Sequence, residues 1–407
     1  MRSNKTYTLV RCRFIIDSES ITENLNLIVQ GNTIKSIGHE IEGDEIDCSK
    51  YVVIPGLINA HTHSGMMIFR GYYDDSELTE WLSRIWDEER KMTQEVMNIG
   101  SELSIIEMLS KGITGFVDMY FNPEGVKELA EKYGIRIDAG YTFLDSMLDP
   151  YEVDSRQRKL SKSNYFKPIV NVHSIYSTSI NTLKLAKQLA EETETRIHIH
   201  VAETRNEIFQ SKKKYGKFPV EFLHELNIVE ISQLVHLGWV ANWELQYIKM
   251  ATHCPTSNMK LATAGFFPFI DMIEKGKNVT IGTDGPSTNN SLDMFREMKS
   301  AVLLQRHSYW DTRMKALHAL KSATEEGYKL MGIKGGKIKE GYVADLVLLD
   351  TDELYPLKKD RIVSNIVYNA VGENVSKVII DGKVVYERGK FSTRKKELLS
   401  LIDDIVM

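Results

Sequence analysis

Hydrophobic and polar positions fall into three textures along the chain. From residue 5 to about 54, short apolar runs such as "YTLVRCRFIID", "ITENLNLIVQG", "TIKSIG" and "YVVIPG" are separated by polar turns and predict strands. The far end has the same texture in "ADLVLLD" and "SKVIIDGKVVYERGKF", with the turn "IKEGYVADL" before them. Between the two lie eight apolar runs that predict strands. They are "GLINAHTH" (56–63), "GITGFVDMY" (112–120), "IRIDAGYTF" (135–143) and "KPIVNVHS" (167–174), then "RIHIHVAE" (196–203), "SQLVHLGW" (232–239), "YIKMATHC" (247–254) and "NVTIGTD" (278–284). Apolar residues at helical spacing separate most of them, over 93–112, 181–192 and 267–277, and again in "RMKALHALKSATEEGYKLMG" after the eighth.

Parallel strands need a crossover at each step, so strands alternating with helices argue for a parallel sheet. Eight such units predict an α/β chain folded as a (β/α)8 TIM barrel. The terminal strands are expected to pair into one small β domain. That divides the chain into a barrel over 55–334 and a composite β unit from 1–54 and 335–407.

Composition changes this picture little. With 42% apolar and 26% charged residues among 407, the chain reads as an ordinary soluble protein. A net charge of −5 and the lack of a long basic run argue against a nucleic-acid partner. Cys12, Cys48 and Cys254 form no disulfide framework and no CxxC pair, which fits a reducing cytoplasm. The first residues carry no apolar signal core, and no stretch approaches 18 apolar residues, so neither a secretion signal nor a membrane span is expected.

The chemistry gathers at the strand ends. In a strand, residues i and i+2 share a face, so His61 and His63 in "AHTH" point the same way, a spacing at which two imidazoles can hold one ion. His173 ends the fourth strand, His200 and Glu203 the fifth, His236 lies near the end of the sixth, and Asp284 closes the eighth. All these ends face one mouth of a TIM barrel, where catalytic residues belong. Their joint placement predicts a site for a divalent cation.

Five segments together, "PGLINAHTHSGMMIFRG", "HIHVAETRNE", "THCPTSNMKL", "VTIGTDGPSTNNSLDMFREM" and "GKIKEGYVADLVLLD", resemble the amidohydrolase superfamily. Within it they are similar to the methylthioadenosine/S-adenosylhomocysteine deaminases and the Atz/Trz chlorohydrolases. The resemblance implies a metal-bearing barrel flanked by a β-sandwich from both termini. It implies His61, His63, His200 and Asp284 as metal ligands, holding one divalent ion. Zinc is the expected ion, with iron, manganese and nickel as alternatives. Two-metal relatives use a lysine on the fourth strand, and "PIVNVHS" ends in His173 with no lysine.

The resemblance further implies Glu203 as the proton-transferring acid and base and His236 as the group that orients water, with Asp284 doubling as a proton shuttle. Glu89 would bind ribose hydroxyls, and His173 would touch substrate. Trp81 and Trp86 would line an apolar wall, and Thr288 lies in the polar turn "TDGPSTNN" beside Asp284. At the end of the third strand, where methylthioadenosine/S-adenosylhomocysteine deaminases carry an arginine, this chain has Tyr141. A tyrosine makes no charge-assisted contact to a carboxylate, although Arg156 or Arg158 could compensate.

The expected reaction is hydrolytic deamination of an adenosine-type nucleoside or another amino-heterocycle. Triazine dechlorination and ring-opening hydrolysis are the alternatives. Glu203 favours deamination, because a leaving amine needs a proton and chloride does not. The expected partner is the small-molecule substrate, with assembly into a dimer or tetramer.

Overall fold

The computed structural model describes residues 5–263 and 265–406. Each of the eight central apolar runs forms a strand, in order Leu57–Thr62, Ile113–Tyr120, Arg136–Phe143, Val170–Ser174, Ile197–Val201, Ser232–His236, Met250–His253 and Asn278–Ile281. They are hydrogen-bonded neighbours in chain order and pair in parallel throughout. Most are buried along their whole length, as a parallel sheet covered by helices on its outside requires.

The eighth strand returns to the first and closes the barrel through polar links. Asp284 N–H donates to His61 O at 3.0 Å. The Asn59 side chain donates to Thr283 Oγ1 at 2.7 Å and accepts from Thr283 N–H at 2.9 Å. A Cβ added to Gly282 would stand 2.7 Å from His61 N, so only glycine lets the two strands approach this closely.

Helices fill the crossovers where the sequence supplies caps and apolar stripes. Gln94–Ser110 starts at Thr93, whose hydroxyl accepts from Val96 N–H, and Ile180–Glu192 starts in the same way at Ser179. Two expectations are corrected. The 267–277 stretch forms only the short helix Phe269–Glu274, with Pro268 before it and Gly276 at positive φ after it. The stretch after the eighth strand is two helices, Ala316–Ala323 and Glu325–Met331. Thr324 breaks them apart with φ −121° and ψ −92°, and its hydroxyl returns to Leu320 O.

The terminal segments form one mixed sheet. Its order is Lys383–Glu387, Val375–Ile380, Leu346–Asp350, Tyr51–Pro55, Thr6–Ile16, Ile21–Gln30 and Thr33–Gly38, with Asp44–Asp47 paired to Thr6–Ile16. The two halves meet where Tyr51–Pro55 runs antiparallel to Leu346–Asp350. Only Gly56 separates this sheet from the first barrel strand. Its Cα lies so close to Thr114 and Tyr328 that a side chain would collide with both. Arg136, on the third barrel strand, is bound in two-pronged fashion by Asp345 at 2.6 and 3.0 Å. The composite sheet is thereby locked to the base of the barrel, away from the strand ends that carry the chemistry. No helix among the described residues is long and apolar enough to cross a membrane.

Candidate metal centre

The carboxyl ends of the first, fifth, sixth and eighth strands bring their polar side chains together as alternation requires. His61, His63 and His200 offer one group of possible metal ligands, and His61, His236 and Asp284 another, each group with ligand atoms mutually within 4.8 Å. Nε2 of His61 lies 3.2 Å from Nε2 of His200 and 3.4 Å from Asp284 Oδ1, while Nε2 of His63 lies 3.2 Å from the same carboxylate oxygen. His61 is fully buried, and His200 and Asp284 are each 4% exposed.

The surroundings aim these atoms. Asp284 stands at φ +63°, a conformation that aspartate adopts more readily than most residues. The turn is held by Gly285 N–H donating to Oδ1 and by Ser257 Oγ donating to Oδ2. His63 Nδ1 faces the Met119 carbonyl at 2.7 Å. A carbonyl only accepts, so Nδ1 carries the proton and the Nε2 lone pair is free for a metal.

The charges follow from burial. Desolvation keeps His61 neutral, with its pKa pushed down to about 3, and together with the neighbouring imidazoles it pushes His200 well below the usual range. Burial opposes ionisation of Asp284, but the His61 and His63 rings against it outweigh that and hold the carboxyl well below its ordinary value. His63 is likewise raised by Asp284 against the pull of burial. Imidazole nitrogens converging on a carboxylate form a donor set that suits a borderline-soft divalent cation.

Glu203 sits just beyond the fifth strand. Its backbone turns through Ala202 at φ +53°, and the buried Glu207 carboxylate pins that turn by accepting from Ala202 N–H and Glu203 N–H at 2.9 Å each. Burial first, then the charges of Asp284 and Glu207, push the Glu203 carboxyl well above its ordinary value, which favours the protonated acid. His236 Nε2 lies 3.5 Å from Glu203 Oε1. Asn258, placed with its amide nitrogen towards His236 Nδ1 and Thr263 Oγ1, leaves the His236 proton on Nε2, facing the centre.

A small inner cavity of about 60 Å³ borders this cluster. The expected residues His173, Glu89, Trp81, Trp86 and Thr288 all line it. His173 stacks edge-on against His200 and Trp86, with Nδ1 held by Ser177 Oγ at 2.9 Å. Trp81 and Glu89 project from one face of the helix Leu78–Glu89. Leu78, Leu82, Trp86 and Tyr176 are shared with an outer cavity of about 740 Å³.

Over residues 52–385 the sequence matches the Amidohydrolase family. The chain belongs to that family. This amidohydrolase is 37% identical to a protein of Archaeoglobus fulgidus named 5-methylthioadenosine/S-adenosylhomocysteine deaminase 1, over 96% of each chain. It is also 37% identical to a 5′-deoxyadenosine deaminase of Methanocaldococcus jannaschii, covering 91% of this chain and 93% of that one. Among solved structures, a zinc-bound adenosine deaminase from Xanthomonas campestris superposes with a TM-score of 0.88 at 25% identity, covering 97% of this chain and 98% of that one.

One expected substrate contact falls elsewhere in the amidohydrolase. Tyr141 is not among the residues lining the inner cavity. Its hydroxyl donates to the Glu124 carboxylate at 2.5 Å, and the adjacent Thr142 takes the cavity-facing position. Arg156 lies 5.6 Å from the Tyr141 ring, and neither it nor Arg158 borders the inner cavity. Glu89 ends the helix Leu78–Glu89. Sequence reasoning missed Glu207, Ser257, Asn258 and Tyr176, all in loops or helix starts. It also missed His198 and Asn171, which alternation along "HIH" and "VNVH" places one layer beneath the mouth.

Proposed function

We propose that this amidohydrolase is a zinc-dependent hydrolytic deaminase of adenosine-type nucleosides, converting the 6-amino purine to its 6-oxo form and releasing ammonia. The observation that carries the reading is the pairing, in one buried cluster, of a histidine–aspartate donor set with the buried Glu203 carboxyl. His61, His63, His200 and Asp284 would hold the zinc ion. When bound, the ion would supply the positive charge that lets water attack an aromatic carbon at neutral pH.

The chain's own groups divide the remaining work. Glu203 would give a proton to the ring nitrogen beside the reacting carbon and regain one from the added oxygen as the 6-oxo group forms, while Asp284 would take a proton from the attacking water and pass it to the leaving amine. His236 Nε2–H would hold the attacking water in line and stabilise the tetrahedral centre. Trp81 lines the cavity and its indole N–H has no hydrogen-bond partner among the described residues, so a base acceptor would satisfy it. Glu89 would accept from ribose hydroxyls, and His173 and Thr288 would contact the base. The relatives named for 5-methylthioadenosine/S-adenosylhomocysteine and for 5′-deoxyadenosine support a nucleoside substrate. Among the described residues, the inner cavity has no lysine or arginine in its lining and the outer one only Lys214, which favours a neutral 5′ group close to the base.

The reading assigns catalysis to the barrel over 55–334, with 1–54 and 335–407 as a supporting β unit, of which residues 1–4 and Met407 lie outside the described residues. A cytoplasmic homo-oligomer is the expected setting. Ammonia release from adenosine, 5′-deoxyadenosine, 5′-methylthioadenosine and S-adenosylhomocysteine, compared with guanine and chlorotriazines, tests the reaction. Preferential turnover of the adenosine group supports it, and turnover of chlorotriazines alone refutes it.

A further inference from the structure

His198 lies two residues before His200 on the fifth strand, fully buried one layer below the cluster. Its two ring nitrogens join two neighbours. Nε2 is 2.8 Å from Nδ1 of His61, and Nδ1 is 3.0 Å from Oδ1 of Asn171 on the fourth strand. Hydrogen positions along this chain are fixed from its far end. Asn171 Nδ2 donates to two backbone carbonyls, Asp118 O and Gly140 O, at 2.9 Å each. Carbonyls cannot donate, so the amide orientation has no alternative and Oδ1 must face His198. His198 Nδ1 then carries the proton, its Nε2 is an acceptor, and His61 Nδ1 must be the donor. The His61 Nε2 lone pair is left facing His200 and Asp284.

We propose that His198 is a positioning residue that, through Asn171, fixes the proton of His61 on Nδ1 and so presents Nε2 to the metal in ligating form. The inference rests on the metal-site reading above. It involves no change of charge, only the choice between two neutral tautomers. An outer group that orients a ligating imidazole typically changes metal affinity 10–100-fold. His63 receives the same service from the Met119 carbonyl, but His61 has no carbonyl on its Nδ1 and relies on a second side chain whose own tautomer must be set.

The test compares zinc affinity, read by competition with a chromophoric chelator, in the parent protein, His198→Leu, His198→Gln and Asn171→Leu. His198→Leu removes the acceptor at similar volume and is expected to weaken zinc binding by one order of magnitude or more, and Asn171→Leu by less. His198→Gln restores an acceptor oxygen and is expected to recover most of the loss. Parent-like affinity in folded His198→Leu, or equal losses in the Leu and Gln variants, overturns the proposal. Nitrogen-15 histidine spectra of the metal-free parent give a readout independent of the variants' folding. His61 protonated on Nδ1 supports the relay, and the opposite neutral tautomer overturns it. Failure of the parent to take up zinc counts against the metal reading alone, because the metal-free spectrum still decides the relay.

Discussion

Nε2 of His61 and Nε2 of His200 stand 3.2 Å apart inside a buried pocket that also holds the Asp284 carboxylate. Burial keeps both rings uncharged, so two imidazole nitrogens face each other at a distance that positive charge between them would make favourable. Metal removal is therefore expected to lower stability as well as activity. Dialysis against a chelator should depress the midpoint of thermal unfolding, and stoichiometric zinc should restore it, because a ligand that binds only the folded form stabilises it by mass action. Substituting Asp284→Ala should abolish tight binding of one equivalent, as metal analysis of the folded variant will show.

Glu203 is proposed to transfer protons in the reaction without contributing to the histidine–aspartate donor set. Glu203→Gln is expected to reduce kcat on adenosine-type substrates by about 10²–10⁴-fold, the usual worth of a positioned acid–base group. Zinc content should remain at the parent value. Loss of the metal together with the activity would move Glu203 into the ligand set and remove its proposed role.

Glu207 holds the Glu203 turn through two backbone N–H groups. Glu207→Ala leaves those donors buried and unpaired, at a cost of about 1–3 kcal/mol. A lower unfolding midpoint and a reduced kcat are expected together. Glu207→Gln keeps one acceptor oxygen and should fall between the parent and the alanine variant in both.

Glu89, the proposed ribose ligand, costs the folded state stability where it is ionised. Burial, only partly offset by its hydrogen bond to Tyr120, raises its pKa to about 7 from an ordinary 4.5. Below pH 4.5 the folded and unfolded states both hold the proton, and the group contributes nothing to the balance. As pH rises from 4.5 to 7 the unfolded chain ionises first, so the folded state becomes progressively less favoured, and the full cost is present above 7. Glu89→Gln should therefore unfold at the same temperature as the parent at pH 4.5 and at a higher one at pH 8, a gain on the order of 1–3 kcal/mol. The same variant should raise KM for nucleosides with intact 2′ and 3′ hydroxyls. Equal KM values would remove Glu89 from ribose recognition.

The inner cavity, at about 60 Å³, is far smaller than the roughly 300 Å³ at the low end of small-molecule sites. A nucleoside at the cluster would need more room, and the helix Leu78–Glu89, which carries Trp81 and Trp86 and separates the inner from the outer cavity, is the wall proposed to move outward. Binding of an unreactive nucleoside analogue should change tryptophan fluorescence in the parent, and Trp86→Phe should remove much of that change. An unaltered spectrum at saturating ligand would argue for a rigid wall.

The barrel was legible because eight buried parallel strands must each be short, apolar and followed by a crossover, and that rhythm is visible from "GLINAHTH" to "NVTIGTD". His61, His63, His200 and Asp284 were legible for a related reason, since strand ends of one barrel share a mouth. Tyr141 was misplaced because alternation turns neighbouring side chains to opposite faces, and Thr142 occupies the inward position there. The helix Leu78–Glu89 escaped because it lacks a side-chain cap at Glu77, so nothing local marks its start. His198 and Asn171 sit on strands that sequence reading did find. Their importance lies in proton positions across three strands, which no single segment encodes.

The central claim is that zinc-loaded protein replaces the amino group of an adenosine-type nucleoside by oxygen. Its most direct test is the time course of ammonia release from 5′-methylthioadenosine and 5′-deoxyadenosine, with the purine product identified by mass. The account predicts one ammonia per 6-oxo nucleoside formed, abolished by chelation and restored by zinc. Folded protein carrying one zinc per chain that releases no ammonia from either nucleoside, or from adenosine, would contradict it.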